Sequence, residues 1–365
     1  MSEKGNRIFY VSGYGSREEG SICRMELSSD GTIRKMKTFS GLNQPSYIAL
    51  RQAGGEEYLY SFEKDPPDGA AAAFRIRGDE LERISYEKAD FLGPCHVSLS
   101  ERGDFAFFAS YGKGTAAVYR IREDGGLAFA SYVRHEGKGK HPIRQDRPHV
   151  HFLGESGGQL FAADLGLDKV FIYDLERESG RLRPAGPPIS LPAGAGPRHL
   201  ALSRRHPERL YILTELTVEV CFCEKGPEGW SIRQKISAPG NRQADPALMV
   251  PAGADPLSIG AAIKLSEDEG YLFTSARLGF QSLSAFRVEA DGFLTFLDTR
   301  ESGGVTPRDF ALIGDLLVIA NQDSDLITTL RFDREKERLL PAAGRADMRK
   351  PTCVSAGGKA AVIKP

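Results

Sequence analysis

The stretch PRHLALS, residues 197–203, sets a proline ahead of a short apolar run, and its recurrence decides the fold. The element returns as PSYIAL from Pro45, PCHVSLS from Pro94, PHVHFL from Pro148, PLSIGAAIKLS from Pro256, PRDFALI from Pro307 and PTCVSA from Pro351. Successive prolines lie 49, 54, 49, 59, 51 and 44 residues apart, which makes seven copies. Self-similarity at such a period marks a repeat fold, in which each unit buries its apolar face against its neighbours.

A second apolar run follows each copy and ends in polar or small residues. The runs are EYLYSFEK from Glu57, FAFFASYGKG from Phe105, LFAADLGLD from Leu160, LYILTELTVE from Leu210, YLFTSARLGF from Tyr271 and LLVIANQDSD from Leu316. The seventh, IFYVSGYGS from Ile8, stands at the other end of the chain. A third run (TAAVYRIR, KVFIYDLE, QSLSAFRVE), a Gly/Asp turn and a more polar fourth run complete the unit. β-Branched and aromatic runs between Gly/Asp turns are strands. No sustained 3.6-residue apolar period supports a βαβ solenoid. The expectation is an all-β, seven-bladed β-propeller with four antiparallel strands per blade, one domain over 1–365. The permuted repeat puts the first and last strands in one blade, which closes the ring and removes open edges.

Composition narrows the function. Lys+Arg 48 against Asp+Glu 49 gives a net charge of -1, which argues against nucleic acid or a membrane surface as partner. No apolar stretch approaches the ~20 residues of a membrane span, and MSEKGNRIFYVSGYG lacks a secretory apolar core. Five cysteines without a CxxC pair read as packed free thiols, with Cys221 and Cys223 on one side of a strand. These features predict a cytoplasmic protein without a metal or other cofactor; they leave the oligomeric state open.

Antiparallel alternation brings the start of each first strand and the end of each second strand to one rim of the channel. First strands contribute His96, His149, Arg198 and Arg308, with His151 and His199 nearby. Second strands contribute Tyr111, Asp164, Glu215, Arg277, Asn321 and Gln322. Charges at apolar strand ends are costly unless paired or used, and several on one rim point to a binding cleft. The loop RHEGKGKHPIRQDRP, 134–148, adds five Lys/Arg and reads as a mobile cationic lid suited to an anionic ligand. Strand alternation turns His199 away from Arg198, toward a structural role.

Several of these runs carry a family resemblance. RQDRPHVH, AADLGLDKVFIYDL, GPRHLALS, YILTEL, GAAIKLSEDEGYLFTSAR, TPRDFAL and VIANQDSD resemble the seven-bladed propeller lactonases. That family includes 6-phosphogluconolactonases and carboxy-muconate lactonising enzymes. The resemblance implies that His149, Arg198, Glu215 and Arg277 are catalytic. His96, Asp164, Arg308, Asn321, Gln322 and Arg144 then surround them as substrate-binding groups. Thr214 and Ala276 stand where the family usually has Asn, and LGF follows Arg277 where Gly-His is common, so substrate contacts differ.

Arginines suit an oxyanion, a carboxylate or a phosphate, and His149 or Glu215 suits acid/base work. The leading expectation is metal-independent hydrolysis of an anionic sugar lactone, such as 6-phosphogluconolactone. Ring closure of a muconate dianion is the alternative reaction. A non-catalytic interaction propeller is the alternative class; the single tryptophan, Trp230, does not fit Trp-Asp scaffolds, and the rim is charged rather than aromatic. A serine nucleophile lacks its G-x-S-x-G turn, and seven units disfavour six-bladed calcium lactonases.

Overall fold

The computed structural model describes residues 6–65, 68–239 and 260–357. Seven antiparallel sheets form the ring, and the only helical turn among the described residues is a 3-10 turn at Gln322–Ser324. Blade I joins Arg7–Gly13, Ile22–Leu27 and Ile33–Phe39 to the innermost strand Pro351–Ala356. Blades II to VII occupy 49–89, 94–134, 150–190, 197–237, 260–301 and 307–347. The last strand pairs with the first from Phe9↔Ala356 to Gly13↔Pro351, so the ring closes as the permuted repeat predicts.

Each second strand is buried on both faces and sends alternate side chains to opposite neighbours, as the two-residue strand period requires. In blade III, Phe105, Phe107 and Ala109 pack toward blade IV, whereas Ala106 and Phe108 pack toward blade II. Seven apolar clusters result, one between each pair of adjacent blades, including the closing pair I and VII. Cys221 and Cys223 lie together in the cluster between IV and V, and all five cysteines are free thiols. Outer strands face water; Ile33–Phe39 buries only its two ends.

The innermost strands carry a feature that the sequence repeat does not display. Pairing skips one residue immediately after the first position: Cys95, His151, Arg198, Arg308 and Thr352 are bulged in their blades. A bulge adds one residue to one strand and re-aims the side chains around it. The register also corrects two assignments. The residue equivalent to Pro197 in blade IV is Val150, not Pro148, because Val150 pairs with Asp164 as Pro197 pairs with Thr214. In blade VI it is Gly260; Pro256 lies outside the described residues.

Candidate active site

The inner-strand register fixes which second-strand residues face the channel mouth. Pro94, Val150, Pro197, Gly260, Pro307 and Pro351 pair with Ser110, Asp164, Thr214, Ala276, Asn321 and Gly13. The next residue of each blade is therefore Tyr111, Leu165, Glu215, Arg277, Gln322 and Tyr14. Four of these, Tyr14, Tyr111, Glu215 and Arg277, line one cavity of about 690 Å³ at the mouth, within the range of small-molecule sites.

Glu215 anchors the site. Its carboxylate, 1 % exposed, accepts from Arg198 Nε at 2.7 Å and from Arg277 Nη2 at 2.8 Å, both on Oε2. Arg144 donates to Oε1. Burial pushes the Glu215 carboxyl up, but Arg277, Arg144 and Arg198 together outweigh it and hold the group well below the usual carboxylate range. Glu215 is thus a fixed anion with both oxygens engaged, better suited to organising cations than to taking a proton. Burial pushes Arg277 down to about 9; Glu215 opposes that shift, while Arg198, Arg308 and Arg144 add to it. Gly260 lets blade VI approach closely, because a Cβ there would meet the Thr214 carbonyl.

Arg198 stands behind this anion rather than on the cavity wall. It is 2 % exposed and donates to Glu215 and to the Ala261 carbonyl. Its contacts hold Glu215 in place, set back from the cavity wall where an anion-binding side chain was expected. For His199 the structure changes the alternation argument, not the structural role expected of it. The Arg198 bulge breaks simple alternation, and His199 lies in the channel against His96, His151 and Tyr47, with ring centroids 5.5, 5.2 and 6.0 Å away. His96 packs between Tyr47 and Phe152 in the same layer, where burial, Lys264 and Arg198 lower it to about 3. His96, His199 and Tyr47 of that layer are not among the cavity-lining residues, so His96 is not placed to touch a ligand there. His151 does reach the lining.

His149 precedes the first strand of blade IV and lines the cavity. Its ring stacks on Tyr111 at 4.1 Å, and Nδ1 lies 2.9 Å from the Tyr111 carbonyl oxygen. A carbonyl only accepts, so Nδ1 carries a hydrogen, and Nε2, the nitrogen that faces the cavity side, is paired with Asp146 Oδ1 at 3.0 Å. The His149 hydrogen bond holds the Asp146 carboxyl below its usual range.

The one-residue register explains two further corrections. Asp164 and Asn321 match Thr214, not Glu215, and a one-residue shift sends a strand side chain to the other face. Asp164 accepts from the His149 amide at 2.8 Å and contacts His135 Nδ1 at 2.6 Å, so it positions His149. Asn321 donates to the Thr328 hydroxyl at 2.9 Å, within its own blade. Gln322 accepts from Arg308 Nη1 at 2.8 Å, and Arg308 and Arg144 both line the cavity.

Hydrogen bonds tie the basic loop to blade IV. Buried Gln145 accepts from the amides of Lys140 and His141 and donates to the Leu165 carbonyl and to Asp168 Oδ1. This anchor presents Arg144 and Asp146 to the cavity. Sequence reasoning left out Gln145, Asp146, Tyr14 and Lys64. Among the described residues no group of three His, Cys, Asp or Glu side chains is placed to share a metal ion.

The fold is a closed seven-bladed propeller with charged groups gathered around one cavity at the mouth of its channel. The chain belongs to the lactonase family of seven-bladed β-propellers, whose family model matches residues 8–356. It is a lactone-hydrolysing enzyme acting on a small lactone. The 6-phosphogluconolactonase of Bacillus subtilis is 31% identical over 360 residues, 95% of this chain and 97% of that one. A periplasmic gluconolactonase of Pseudomonas aeruginosa superposes with a TM-score of 0.82 at 27% identity, covering 96% of this chain and 99% of its own. A protein from Lactobacillus plantarum gives a TM-score of 0.85 at 26% identity, over 97% of this chain and 100% of its own. Family membership corrects the interaction-propeller alternative, and these relatives lend the muconate-cyclase alternative no support. No helix among the described residues is long and apolar enough to cross a membrane.

Proposed function

We propose that the mouth cavity hydrolyses an anionic sugar lactone, 6-phosphogluconolactone being the best candidate, without a metal ion, and that the chain acts as one unit over 1–365. The observation that carries this reading is the Glu215 carboxylate held by Arg144, Arg198 and Arg277 in a cavity that His149 also lines. Charge supports the anionic substrate: the described lining residues include six Lys/Arg against Asp68, Asp146 and Glu215. The name of the Bacillus subtilis relative supports the phosphorylated sugar.

With Nδ1–H held by the Tyr111 carbonyl, His149 Nε2 takes a proton from water once water replaces Asp146 Oδ1 as its partner, and the water oxygen attacks the lactone carbonyl carbon. Arg277 and Arg144, fixed by Glu215, supply donors to the oxyanion that forms. Collapse breaks the ring C–O bond, and His149 returns the proton to the departing ring oxygen, giving the open hydroxy acid. Fixed positive charge does the electrophilic work, so no step in the scheme needs a metal. Free thiols at all five cysteines suit the reducing cytoplasm, where this reading places the enzyme.

The test is a pH-stat assay of the purified protein with 6-phosphogluconolactone, against the spontaneous rate. The reading expects clear acceleration, with Arg277→Ala slowing it by about 10²–10³. No acceleration, or an unaffected variant, would overturn it.

A further inference from the structure

The charged groups of the mouth fall into two arcs of the ring. His149, Glu215 and Arg277 come from blades IV, V and VI. On the facing arc, Arg308, Tyr14 and Lys64 come from blades VII, I and II, and all three line the same cavity. Lys64 Nζ lies 4.8 Å from the centre of the Tyr14 ring, and the Arg308 guanidinium lies 5.3 Å from it. Neither cation pairs with a carboxylate among the described residues. Arg308 bonds only the neutral Gln322 amide, and the one carboxylate lining this arc is Asp68.

Two cations flanking a phenol offer an ammonium, a planar guanidinium fork and a hydroxyl to one oxyanion. We propose that Tyr14, Lys64 and Arg308 form a phosphate subsite that selects phosphorylated over unphosphorylated sugar lactones. The proposal rests on the reading that this cavity hydrolyses lactones. A hexonolactone phosphate carries its carbonyl and its phosphoryl group at opposite ends, which matches two facing arcs with separate tasks. Burial raises the Tyr14 phenol, but Arg308 and Lys64 reverse that and bring it to about 8, so both positive charges bear on the space a phosphate would fill.

Two readouts test the subsite on Lys64→Met, Arg308→Gln and Tyr14→Phe. The first is the ratio of kcat/KM for 6-phosphogluconolactone to that for glucono-1,5-lactone. Either charge removal lowers this ratio by about 10- to 100-fold, chiefly through KM, and loss of the hydroxyl lowers it by about 2- to 10-fold. An unchanged ratio overturns the subsite. The second is thermal stabilisation by inorganic phosphate, which needs no turnover. Phosphate raises the Tm of the unaltered protein and loses that effect in Lys64→Met. Equal stabilisation of both, or of neither, overturns the subsite. Stabilisation confined to the unaltered protein supports the subsite even if neither lactone is hydrolysed, in which case only the hydrolytic reading falls.

Discussion

Two buried glutamates, Glu63 and Glu215, are each gripped by arginines, and only one belongs to the candidate site. Glu63 accepts from Arg17 Nη2 at 2.6 Å and from Arg83 Nη2 at 3.2 Å, but those arginines are 49% and 44% exposed. Arg17 lies in the loop between Arg7–Gly13 and Ile22–Leu27 of blade I, and Arg83 in the outermost strand of blade II, so Glu63 ties the two blades together. Around Glu215 the arginines are 2%, 12% and 16% exposed, and two of the three share a cavity wall with it. A carboxylate holding arginines is thus no sign of a site by itself. What distinguishes Glu215 is that its arginines are desolvated and converge from separate segments on one space.

The largest effect expected from this contrast is catalytic. Glu215→Gln should lower kcat/KM by about 10³ or more, since it releases the donors that meet the oxyanion, whereas Glu63→Gln should leave kcat/KM within about threefold. Equal losses in an assay on the soluble variants would erase the distinction. His149→Asn comes next, with a fall of about 10²–10⁴ in kcat and a smaller change in KM. A normal kcat would remove His149 from the chemistry.

Stability sharpens the comparison from the other side. Glu63→Gln should cost about 1–3 kcal/mol in urea unfolding, because it leaves charged donors at the blade I/II seam poorly matched. Glu215→Gln should cost more at neutral pH, and its cost should depend on pH. The folded Glu215 carboxyl is held low, so its stabilisation is complete above the unfolded value of about 4.3 and is lost as pH falls below it. The gap between wild type and Glu215→Gln should therefore narrow between about pH 4 and pH 2, measured by urea midpoints. A constant gap would contradict the ionised, arginine-held carboxylate.

A smaller effect concerns the facing arc. As pH rises through about 8 the Tyr14 phenol loses its proton beside Lys64 and Arg308, and the new negative charge repels a phosphate. The KM for 6-phosphogluconolactone should then climb above pH 8, and Tyr14→Phe should flatten that rise. The smallest effect is the response to a chelator: EDTA should leave the rate unchanged within error, and a reversible loss would bring a metal into the mechanism.

The fold was legible because each blade repeats the same proline, apolar runs and turns, and local signals agreed with one ring. Glu215 and Arg277 were legible for the same reason, as charges just past apolar second strands. The errors trace to the register and the bulge of the inner strand. Neither pairing register nor a bulge has a composition of its own: register puts Asp164 and Asn321 one residue before the position of Glu215, and the Arg198 bulge breaks the alternation used for His199. Tyr14 and Lys64 carried a usable signal. Tyr14, just past Gly13 in the IFYVSGYGS copy, holds the same repeat position as Glu215, but reading it requires the pairing register of a blade built from both chain ends. Gln145 gave no signal, since its task depends on Asp168 and Leu165 approaching from the next segment.

The most direct test of the central claim is a crystal structure with the product, 6-phosphogluconate. The account predicts the carboxylate against Arg144 and Arg277 within reach of His149, and the phosphate between Lys64 and Arg308. A product bound anywhere outside this cavity, or one seated without touching the arginines that Glu215 holds, would contradict it.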